Sequence, residues 1–249
     1  MPAEPALAYV HVRPALAGDA STIEADTDPM SEHAPPAIIV GVILAGGTSR
    51  RMGGSDKSLL SFGASSLVGE VARRLRPQVT EVVLNANGDP HRFAELGLPV
   101  AADLVAGFPG PLAGLHAGMR WAVANVAGAT HVLSVPSDAP FIPRDLAQRF
   151  AEALGASGGK SRVAVASSAG KVHPVIGLWP IGLAEDLGRA LDEGQRKVMT
   201  WATHCGALVV DFPLRRVAGH MIDPFYNANT PAELDEARRL LELAGHGSD

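Results

Sequence analysis

The sequence predicts an α/β protein with a single doubly wound, Rossmann-like domain, in which helices cover both faces of a mostly parallel central sheet (three layers, α/β/α). The chain has 249 residues, enough for one large α/β domain, and 47% of them are hydrophobic. Apolar runs rich in β-branched residues alternate with helical patterns from residue 38 to the last helix. The first run, residues 38–44, is apolar on both faces, which is typical of a parallel strand covered by helices.

The first 36 residues differ in character from the remainder of the chain. Residues 1–36 carry several prolines and scattered acidic residues, show neither strand nor helix periodicity, and end in Ala34-Pro35-Pro36. This composition predicts a poorly ordered N-terminal extension. A misassigned start codon is the alternative explanation. Residues 37–249 are therefore the expected extent of the folded domain.

The elements of that domain follow one another in chain order. Short apolar runs bounded by glycine, proline and polar residues predict strands at 38–44, 81–85, 98–102, 131–135, 162–166, 175–179 and 207–211. Apolar residues at helical spacing predict helices near 66–76, 112–126, 144–154, 181–193 and 197–204. A last helix is predicted after Thr230, because Thr230 is a suitable N-cap, Pro231 suits the first turn and Glu233 completes a capping box.

Composition and charge exclude several classes of function. The formal net charge is −5 and no basic tract occurs, so we expect no nucleic-acid partner. No apolar run reaches the roughly 18 residues of a membrane span, and the N-terminus lacks the pattern of a signal peptide. The single cysteine, Cys205, fits a cytoplasmic location and is expected to be a buried, inert thiol. The nine histidines show no zinc-ligand spacing.

A glycine-rich segment, residues 44–57, follows the first predicted strand. Its four glycines allow the backbone to approach a ligand closely and to direct successive N–H groups toward it. Arg50, Arg51 and Lys57 add positive charge, and amides together with cations are what a polyphosphate requires. A plain surface turn is the alternative. The segment matches neither GxxxxGK[ST] nor GxGxxG, which argues against a P-loop enzyme and against a dehydrogenase.

Polar residues follow the next strands, at the edge where ligands of open α/β sheets bind. Asn85 ends the second strand and is able to read a base edge or hold a ribose, whereas Asn87 is also explained by a simple Asn-Gly turn. Asp103 follows the third strand and is able to accept hydrogen bonds from guanine N–H groups or a ribose hydroxyl, with a helix or loop cap as the alternative. Asp138 follows the fourth strand and suits Mg²⁺ beside phosphates, unless it is a turn residue before proline.

Later polar residues are candidates for contacts with an acceptor molecule. His173 begins a strand and either contacts the acceptor or caps the strand. Arg196 and Lys197 are able to bind an anionic acceptor, or else are solvated residues at a helix start. Asn227 and Asn229 are alternate residues that are able to face one side together, or else serve the entry to the last helix.

Taken in order, the strings LAGGxxxRMGGxDK, NAN, GPLAG, SDxPF, HPV and NxNTPxEL resemble those of molybdenum cofactor guanylyltransferases, in the glycosyltransferase-A-like nucleotidyltransferase superfamily. The resemblance covers about residues 38–243 and marks 37–249 as the nucleotidyltransferase domain. It implies that GMP is transferred from GTP to the terminal phosphate of molybdopterin, or of its molybdenum form, with release of pyrophosphate and a requirement for Mg²⁺. The family often has cysteine where this chain has Ser137, a change that we do not expect to affect the chemistry.

The resemblance also implies a role for each matching residue. The residues implied to bind GTP are Leu44, Ala45, Gly46, Gly47, Lys57, Asn85, Asp103 and Asp138. Asp138 is implied to bind Mg²⁺ as well, and Asn227 and Asn229 are implied to lie on the pterin side. We expect Lys57 and Arg51 to stabilise charge on the departing pyrophosphate, so that these two residues and Asp138 are the expected catalytic residues.

Other functions stay open at this point. Related cytidylyltransferases usually carry LAAG where this chain has LAGG, and the second glycine leaves room for a purine, so guanine is preferred over cytosine. Another small-molecule nucleotidyltransferase is the second alternative, and a non-catalytic molybdenum-cofactor carrier is an alternative of another class. The expected partners are GTP, molybdopterin or Mo-molybdopterin, other cofactor-biosynthesis proteins and recipient molybdoenzymes. We expect a monomer with no membrane partner.

Overall fold

The computed structural model describes residues 8–10, 37–46, 57–105, 110–217 and 219–246. The strands in these ranges are β1 (Ala8–Val10), β2 (Ile39–Leu44), β3 (Ser61–Phe62), β4 (Ser65–Ser66), β5 (Glu81–Asn85), β6 (Val100–Ala101), β7 (His131–Pro136), β8 (Ala164–Ser168), β9 (Lys171–Pro180), β10 (Leu208–Asp211), β11 (Arg215–Val217) and β12 (His220–Ile222). The α-helices are α1 (Leu67–Leu75), α2 (Pro111–Asn125), α3 (Leu146–Ala156), α4 (Ala184–Asp192), α5 (Val198–His204) and α6 (Pro231–His246). None of the helices in the described ranges is long and apolar enough to cross a membrane.

Eight of these strands form one sheet, in the order β1-β10-β8-β9-β7-β2-β5-β6. Strand β9 is antiparallel to both of its neighbours, and the other pairings in the sheet are parallel. All seven predicted strands are present, and the predicted mostly parallel sheet is confirmed. The reversal at β9 is not apparent in the apolar pattern. It arises at Ala169 and Gly170, whose φ values of 48° and 76° allow a tight hairpin turn between β8 and β9.

Helices cover both faces of the sheet. Ile39 and Ile43 of β2 belong to a buried cluster that includes side chains of α1 and α3. Val40 and Val42, which alternate with them, belong to a second buried cluster with side chains of α2, α4 and α5. The apolar run at β2 is therefore buried on both faces, and the predicted three-layer α/β/α fold is confirmed.

Helix α6 contributes to a third buried cluster, separate from the two that flank the sheet. Leu234 of α6 lies in this cluster with Phe62 of β3. The helix begins with the predicted capping box: the Glu233 carboxylate accepts hydrogen bonds from the backbone N–H groups of Asn229 and Thr230, and Thr230 Oγ1 accepts one from the Glu233 N–H group. The segment just before α6 is therefore held by the first turn of that helix.

One edge of the sheet is formed by residues from the N-terminal extension. Ala8–Val10 pairs in parallel with residues 208–210 of β10, which departs from the expectation that residues 1–36 lack regular structure. A strand of three residues is too short to produce a recognisable apolar alternation, so the sequence pattern gives no sign of it. The other residues of the extension lie outside the described part of the chain.

Candidate functional site

Parallel strands of the central sheet end side by side at one edge. Leu44, at the end of β2, pairs with Asn85 of β5 and with Pro136 of β7. Backbone hydrogen bonds continue the alignment past the strands, because the Ala45 N–H group donates to the Asn85 carbonyl (2.9 Å) and the Ser137 N–H group donates to the Leu44 carbonyl (3.1 Å). The polar residues predicted at these strand ends are therefore neighbours in space, as expected for ligand sites in parallel sheets.

Lys57, Asp138 and Asn229 meet at this edge. The Lys57 ammonium donates to Asp138 Oδ2 over 2.6 Å and to Asn229 Oδ1 over 3.0 Å. The side chains of Lys57 and Asp138 are only 15% and 17% exposed, so the ion pair is largely shielded from water. The three residues come from the end of the glycine-rich segment, from just after β7 and from just before α6. A cation, a carboxylate and an amide thus lie within reach of one ligand.

A second polar group joins Asn85 and Asp103. Asn85 is 2% exposed, and its amide nitrogen donates to Asp103 Oδ1 (2.9 Å) and to the Ala101 carbonyl (3.1 Å). Asn87 bonds Asp103 reciprocally: its amide nitrogen donates to Asp103 Oδ2 (2.8 Å), and its amide oxygen accepts from the Asp103 N–H group (2.9 Å). The sequence alone also explains Asn87 as a turn residue, and its alternate spacing from Asn85 is the signal that points to this shared partner. Asp103 retains further lone pairs for a ligand.

Small residues bring backbone close to Asn85. A Cβ atom at Gly114 would lie 2.2 Å from Asn85 Oδ1 and 2.8 Å from Leu44 Cδ2, and one at Gly46 would lie 3.3 Å from Asn85 Oδ1. Gly114 lies in the first turn of α2, whose N-terminus carries partial positive charge that favours anions. Glycine at position 114 is therefore what allows the first turn of α2 to pack directly against the Asn85 side chain.

The segment before α6 is attached to Asp138 through its backbone. Ala228 is fully buried, and its N–H group donates to the Asp138 carbonyl over 3.0 Å. Its neighbour Asn229 reaches Lys57, as described above, whereas the buried amide oxygen of Asn227 has no hydrogen-bond partner within the described residues. The structure therefore brings Asn229 to Lys57 directly, whereas the acceptor atom of Asn227 is buried and unsatisfied within the described residues.

Other predicted residues are placed elsewhere or are not described. Gly47 and Arg51 lie outside the described residues. The Arg196 guanidinium donates to the carbonyls of Leu191 and Gln195, which supports the interpretation of Arg196 as a residue of a helix boundary. His173 contacts a buried serine and is considered below.

Metal-ligand clusters and reactive thiols are two features that bear on the chemistry of the described residues. No group of three or more His, Cys, Asp or Glu side chains that would enclose a metal ion occurs among them. The half-buried thiol of Cys205 has its pKa raised to about 11, chiefly by burial, so it remains protonated near neutral pH and is a poor nucleophile, as expected of an inert thiol. The arrangement suits the binding and orientation of a charged ligand.

Comparison with known proteins decides the family. Residues 41–207 match the family model described as the MobA-like NTP transferase domain. A molybdenum cofactor guanylyltransferase of Nitrobacter hamburgensis is 46% identical over 217 residues, which are 87% of this chain and 100% of that protein. The chain belongs to the molybdenum cofactor guanylyltransferase family. The predicted resemblance is confirmed, and the protein is a nucleotidyltransferase.

Further comparisons agree with this assignment. A molybdenum cofactor guanylyltransferase of Rhodopseudomonas palustris is 47% identical over 214 residues, which are 85% of this chain and 97% of that protein. The crystal structure of molybdopterin-guanine dinucleotide biosynthesis protein A from Archaeoglobus fulgidus shares the fold, with a TM-score of 0.60 at 22% identity, over 82% of this chain and 98% of that one. The guanylyltransferase relatives thus match almost over their whole length.

Proposed function

We propose that this guanylyltransferase transfers GMP from GTP to the terminal phosphate of molybdopterin, or of Mo-molybdopterin, and releases pyrophosphate. The observation that carries the proposal is the position of Lys57, whose ammonium bonds both Asp138 and Asn229. Lys57 ends the segment proposed to bind GTP, and Asn229 belongs to the segment proposed to bind the pterin. On this proposal, the Lys57 ammonium lies where the donor and acceptor phosphates meet.

The donor nucleotide is proposed to lie against Asn85 and Asp103, with its phosphates toward the glycine-rich segment. The Asp103 carboxylate is able to accept the N1–H and N2–H₂ donors of guanine, and the contacts with Asn85 and Asn87 fix its orientation. Backbone of Leu44, Ala45 and Gly46 borders Asn85, and Gly47 is proposed to complete this wall. A carboxylate that accepts hydrogen bonds from two adjacent N–H groups suits guanine better than cytosine, because the Watson–Crick edge of cytosine carries no ring N–H.

A divalent metal ion, proposed to be Mg²⁺, is assigned to Asp138. Mg²⁺ prefers oxygen ligands, and it is usually held by one or two carboxylates together with substrate phosphates and water. One partly shielded carboxylate at the end of β7, with no enclosing cluster in the described residues, fits this manner of binding. When bound, the ion neutralises charge on phosphate oxygens.

Transfer is proposed to be a direct in-line displacement. An oxygen of the acceptor phosphate bonds to the α-phosphorus of GTP as the bond to the β-phosphate bridging oxygen breaks, and the electron pair leaves with pyrophosphate. The acceptor phosphate is already ionised near neutral pH, so no general base is required. Lys57 and Arg51 are proposed to stabilise the charge that develops on the leaving group, while the strand ends hold the reactants in place.

The acceptor is proposed to bind beside Asn227 and Asn229. The amide oxygen of Asn227 is buried without a hydrogen-bond donor among the described residues, and this supports the assignment, because such an atom is costly unless a ligand or water supplies a donor. The Ala228 contact with Asp138 links this segment to the donor side. A bound molybdopterin phosphate is therefore expected to lie close to Lys57.

The proposal is tested by incubating the protein and Mg²⁺ with molybdopterin and either GTP or CTP, and by measuring pyrophosphate. We expect pyrophosphate release with GTP and little with CTP. Release with CTP alone would overturn the base assignment. Binding of molybdopterin without release from either nucleotide would support a non-catalytic carrier, and release with a sugar phosphate in place of molybdopterin would indicate a different nucleotidyltransferase.

The cellular setting is also a proposal. We propose that the protein acts as a monomer in the cytoplasm and delivers its product to other cofactor-biosynthesis proteins or recipient molybdoenzymes. The sequence has a single cysteine and so no internal disulfide, which is consistent with a reducing compartment. Size-exclusion chromatography with light scattering tests the monomer, for which we expect a mass near 25.8 kDa.

A further inference from the structure

A chain of hydrogen bonds links the hairpin of β8 and β9 to the segment before α6. Ser168, the last residue of β8, is fully buried, and its hydroxyl donates to Asp223 Oδ1 over 2.7 Å. The same hydroxyl lies 2.9 Å from His173 Nε2 on β9. Asp223 Oδ1 also accepts the N–H group of Phe225 over 2.8 Å. The buried hydroxyl of Ser168 thus joins His173 of the same hairpin to Asp223, which is 55 positions away in the sequence.

The directions of these bonds follow from the number of hydrogens. A serine hydroxyl has one hydrogen, and an ionised carboxylate is only an acceptor, so the Ser168 hydrogen points to Asp223. His173 Nε2 must therefore carry a hydrogen and donate it to Ser168 Oγ. The pKa of His173 lies below its ordinary value because burial disfavours the charged ring, an effect that the charge of Asp223 opposes only in part. The ring is thus held as the neutral tautomer with hydrogen on Nε2.

The linked segment runs directly into the proposed acceptor site. Asp223 fixes its first turn through the Phe225 N–H group. The Phe225 ring is buried between the rings of His173 and Phe212, at centroid distances of 5.2 and 5.1 Å. Farther along, Ala228 bonds the Asp138 carbonyl. Residues 223–229 are therefore held near both ends, by the Ser168 hydroxyl at Asp223 and by the Asp138 carbonyl at Ala228.

We propose that Ser168, His173 and Asp223 are positioning residues, which hold residues 223–229 in the conformation that binds the acceptor molybdopterin. The inference rests on the proposed function for the identity of the acceptor. None of the three residues is proposed to touch the reacting atoms. Loss of the linkage is expected to weaken binding of the acceptor, whereas binding of GTP, which depends on Asn85 and Asp103, is expected to change little.

The chain contains a matched control for a purely structural role. The Ser167 hydroxyl donates to Asp211 Oδ1 over 2.8 Å, and Ser167 is also buried, at 3% exposure. This bond has the same chemistry and lies one residue away on β8, but it fastens β8 to β10 and not to residues 223–229. If both bonds only stabilise the folded protein, removal of the Ser168 hydroxyl should affect molybdopterin binding no more than removal of the Ser167 hydroxyl does.

The experiment compares S168A and D223A with S167A and the conservative variant D223N in the full-length protein. The Michaelis constants for molybdopterin and GTP, equilibrium binding of molybdopterin and thermal unfolding are measured for each. Because hydrogen bonds to charged groups are involved, we expect S168A and D223A to raise the Michaelis constant and the dissociation constant for molybdopterin about tenfold. The Michaelis constant for GTP should stay near that of the wild-type protein. D223N keeps an oxygen acceptor and should recover most of the affinity for molybdopterin.

The outcomes separate this inference from the proposed function. Equal and small effects of S168A and S167A on molybdopterin, or equal effects of S168A on GTP and molybdopterin, would overturn the positioning role. A wild-type protein that binds molybdopterin but transfers no GMP would contradict the proposed function, while the binding measurements would still decide the positioning role. A wild-type protein that does not bind molybdopterin would overturn both.

Discussion

The Lys57 ammonium lies 2.6 Å from Asp138 Oδ2, although 81 positions separate the two residues in the sequence. The same ammonium lies 3.0 Å from Asn229 Oδ1 at the start of the last helix. Three segments that are distant in the chain therefore converge on one cation. This convergence is the structural basis for placing phosphoryl chemistry between the glycine-rich segment and the segment before α6.

The first prediction concerns Asp138. In D138A, Lys57 loses its carboxylate partner and the proposed metal ion loses its protein ligand, so we expect turnover to fall by at least about 100-fold. Pyrophosphate release at saturating GTP and molybdopterin measures the effect. D145A is the matched control, because Asp145 is an exposed aspartate after the same strand whose side chain makes no capping hydrogen bond. Near-normal turnover of D138A would remove Asp138 from the proposed metal role.

The second prediction separates base recognition from ribose recognition at Asp103. If its carboxylate accepts the guanine N–H groups, the wild-type protein should prefer GTP to ITP, which lacks the exocyclic amine. D103N should lose most of that preference, because the amide has one acceptor oxygen in place of two. Ratios of kcat/KM for the two nucleotides provide the measurement. Equal losses with GTP and ITP would instead place Asp103 at the ribose.

The third prediction concerns the close approach at Gly114. In G114A, the added methyl group meets Asn85 Oδ1 and Leu44, so Asn85 has to move away from Asp103. Such overpacking commonly costs about 1–3 kcal/mol of folding stability. Because Asn85 and Asp103 are proposed to bind the nucleotide, their displacement is also expected to weaken GTP binding about tenfold, or by about 1.4 kcal/mol. G155A is the control, since a Cβ atom at Gly155 in α3 meets nothing within 4 Å. Isothermal titration with GTP tests both variants, and an unchanged affinity in G114A would show that the position of Asn85 is unimportant for GTP.

The fourth prediction concerns the edge strand β1. A chain that begins at Ala8 retains the pairing with β10, whereas a chain that begins at His11 loses it. We expect the shorter chain to unfold about 2–4 °C lower, the shift that about 1 kcal/mol produces in a domain of this size, and to self-associate more readily through the exposed edge. GMP transfer should be alike in both, since β1 is at the far edge of the sheet from β2 and β5. Identical melting temperatures and masses would show that β1 adds nothing to the domain.

Much of the fold was predictable because burial on both faces leaves a clear mark in the sequence. Runs such as the one at β2 identify a parallel sheet, and the capping box before α6 identifies where the last helix begins. The antiparallel direction of β9 was missed, although only residues 167–174 separate the two predicted strands and a parallel crossover needs roughly a dozen residues or more. The strand Ala8–Val10 was missed because three residues carry no periodicity.

The candidate site was predictable where a polar residue directly follows an apolar strand. This rule located Asn85, Asp103 and Asp138, and the structure brings the first two together. The rule does not predict which side chains these residues contact. The hydrogen bond between Lys57 and Asp138, for example, depends on how separate segments pack. Ser168 was missed for a related reason. It is a small polar residue at the end of a strand, and only the return of the chain at Asp223 shows what its hydroxyl contacts.

The most direct test of the central claim follows the α-phosphate of GTP. GTP labelled at the α-phosphorus is incubated with Mg²⁺, molybdopterin and the protein, and label in the pterin product is compared with the pyrophosphate released. We predict one labelled phosphate transferred for each pyrophosphate, with both signals lost in K57M. Pyrophosphate release without label in the pterin, or undiminished transfer by K57M, would contradict the account.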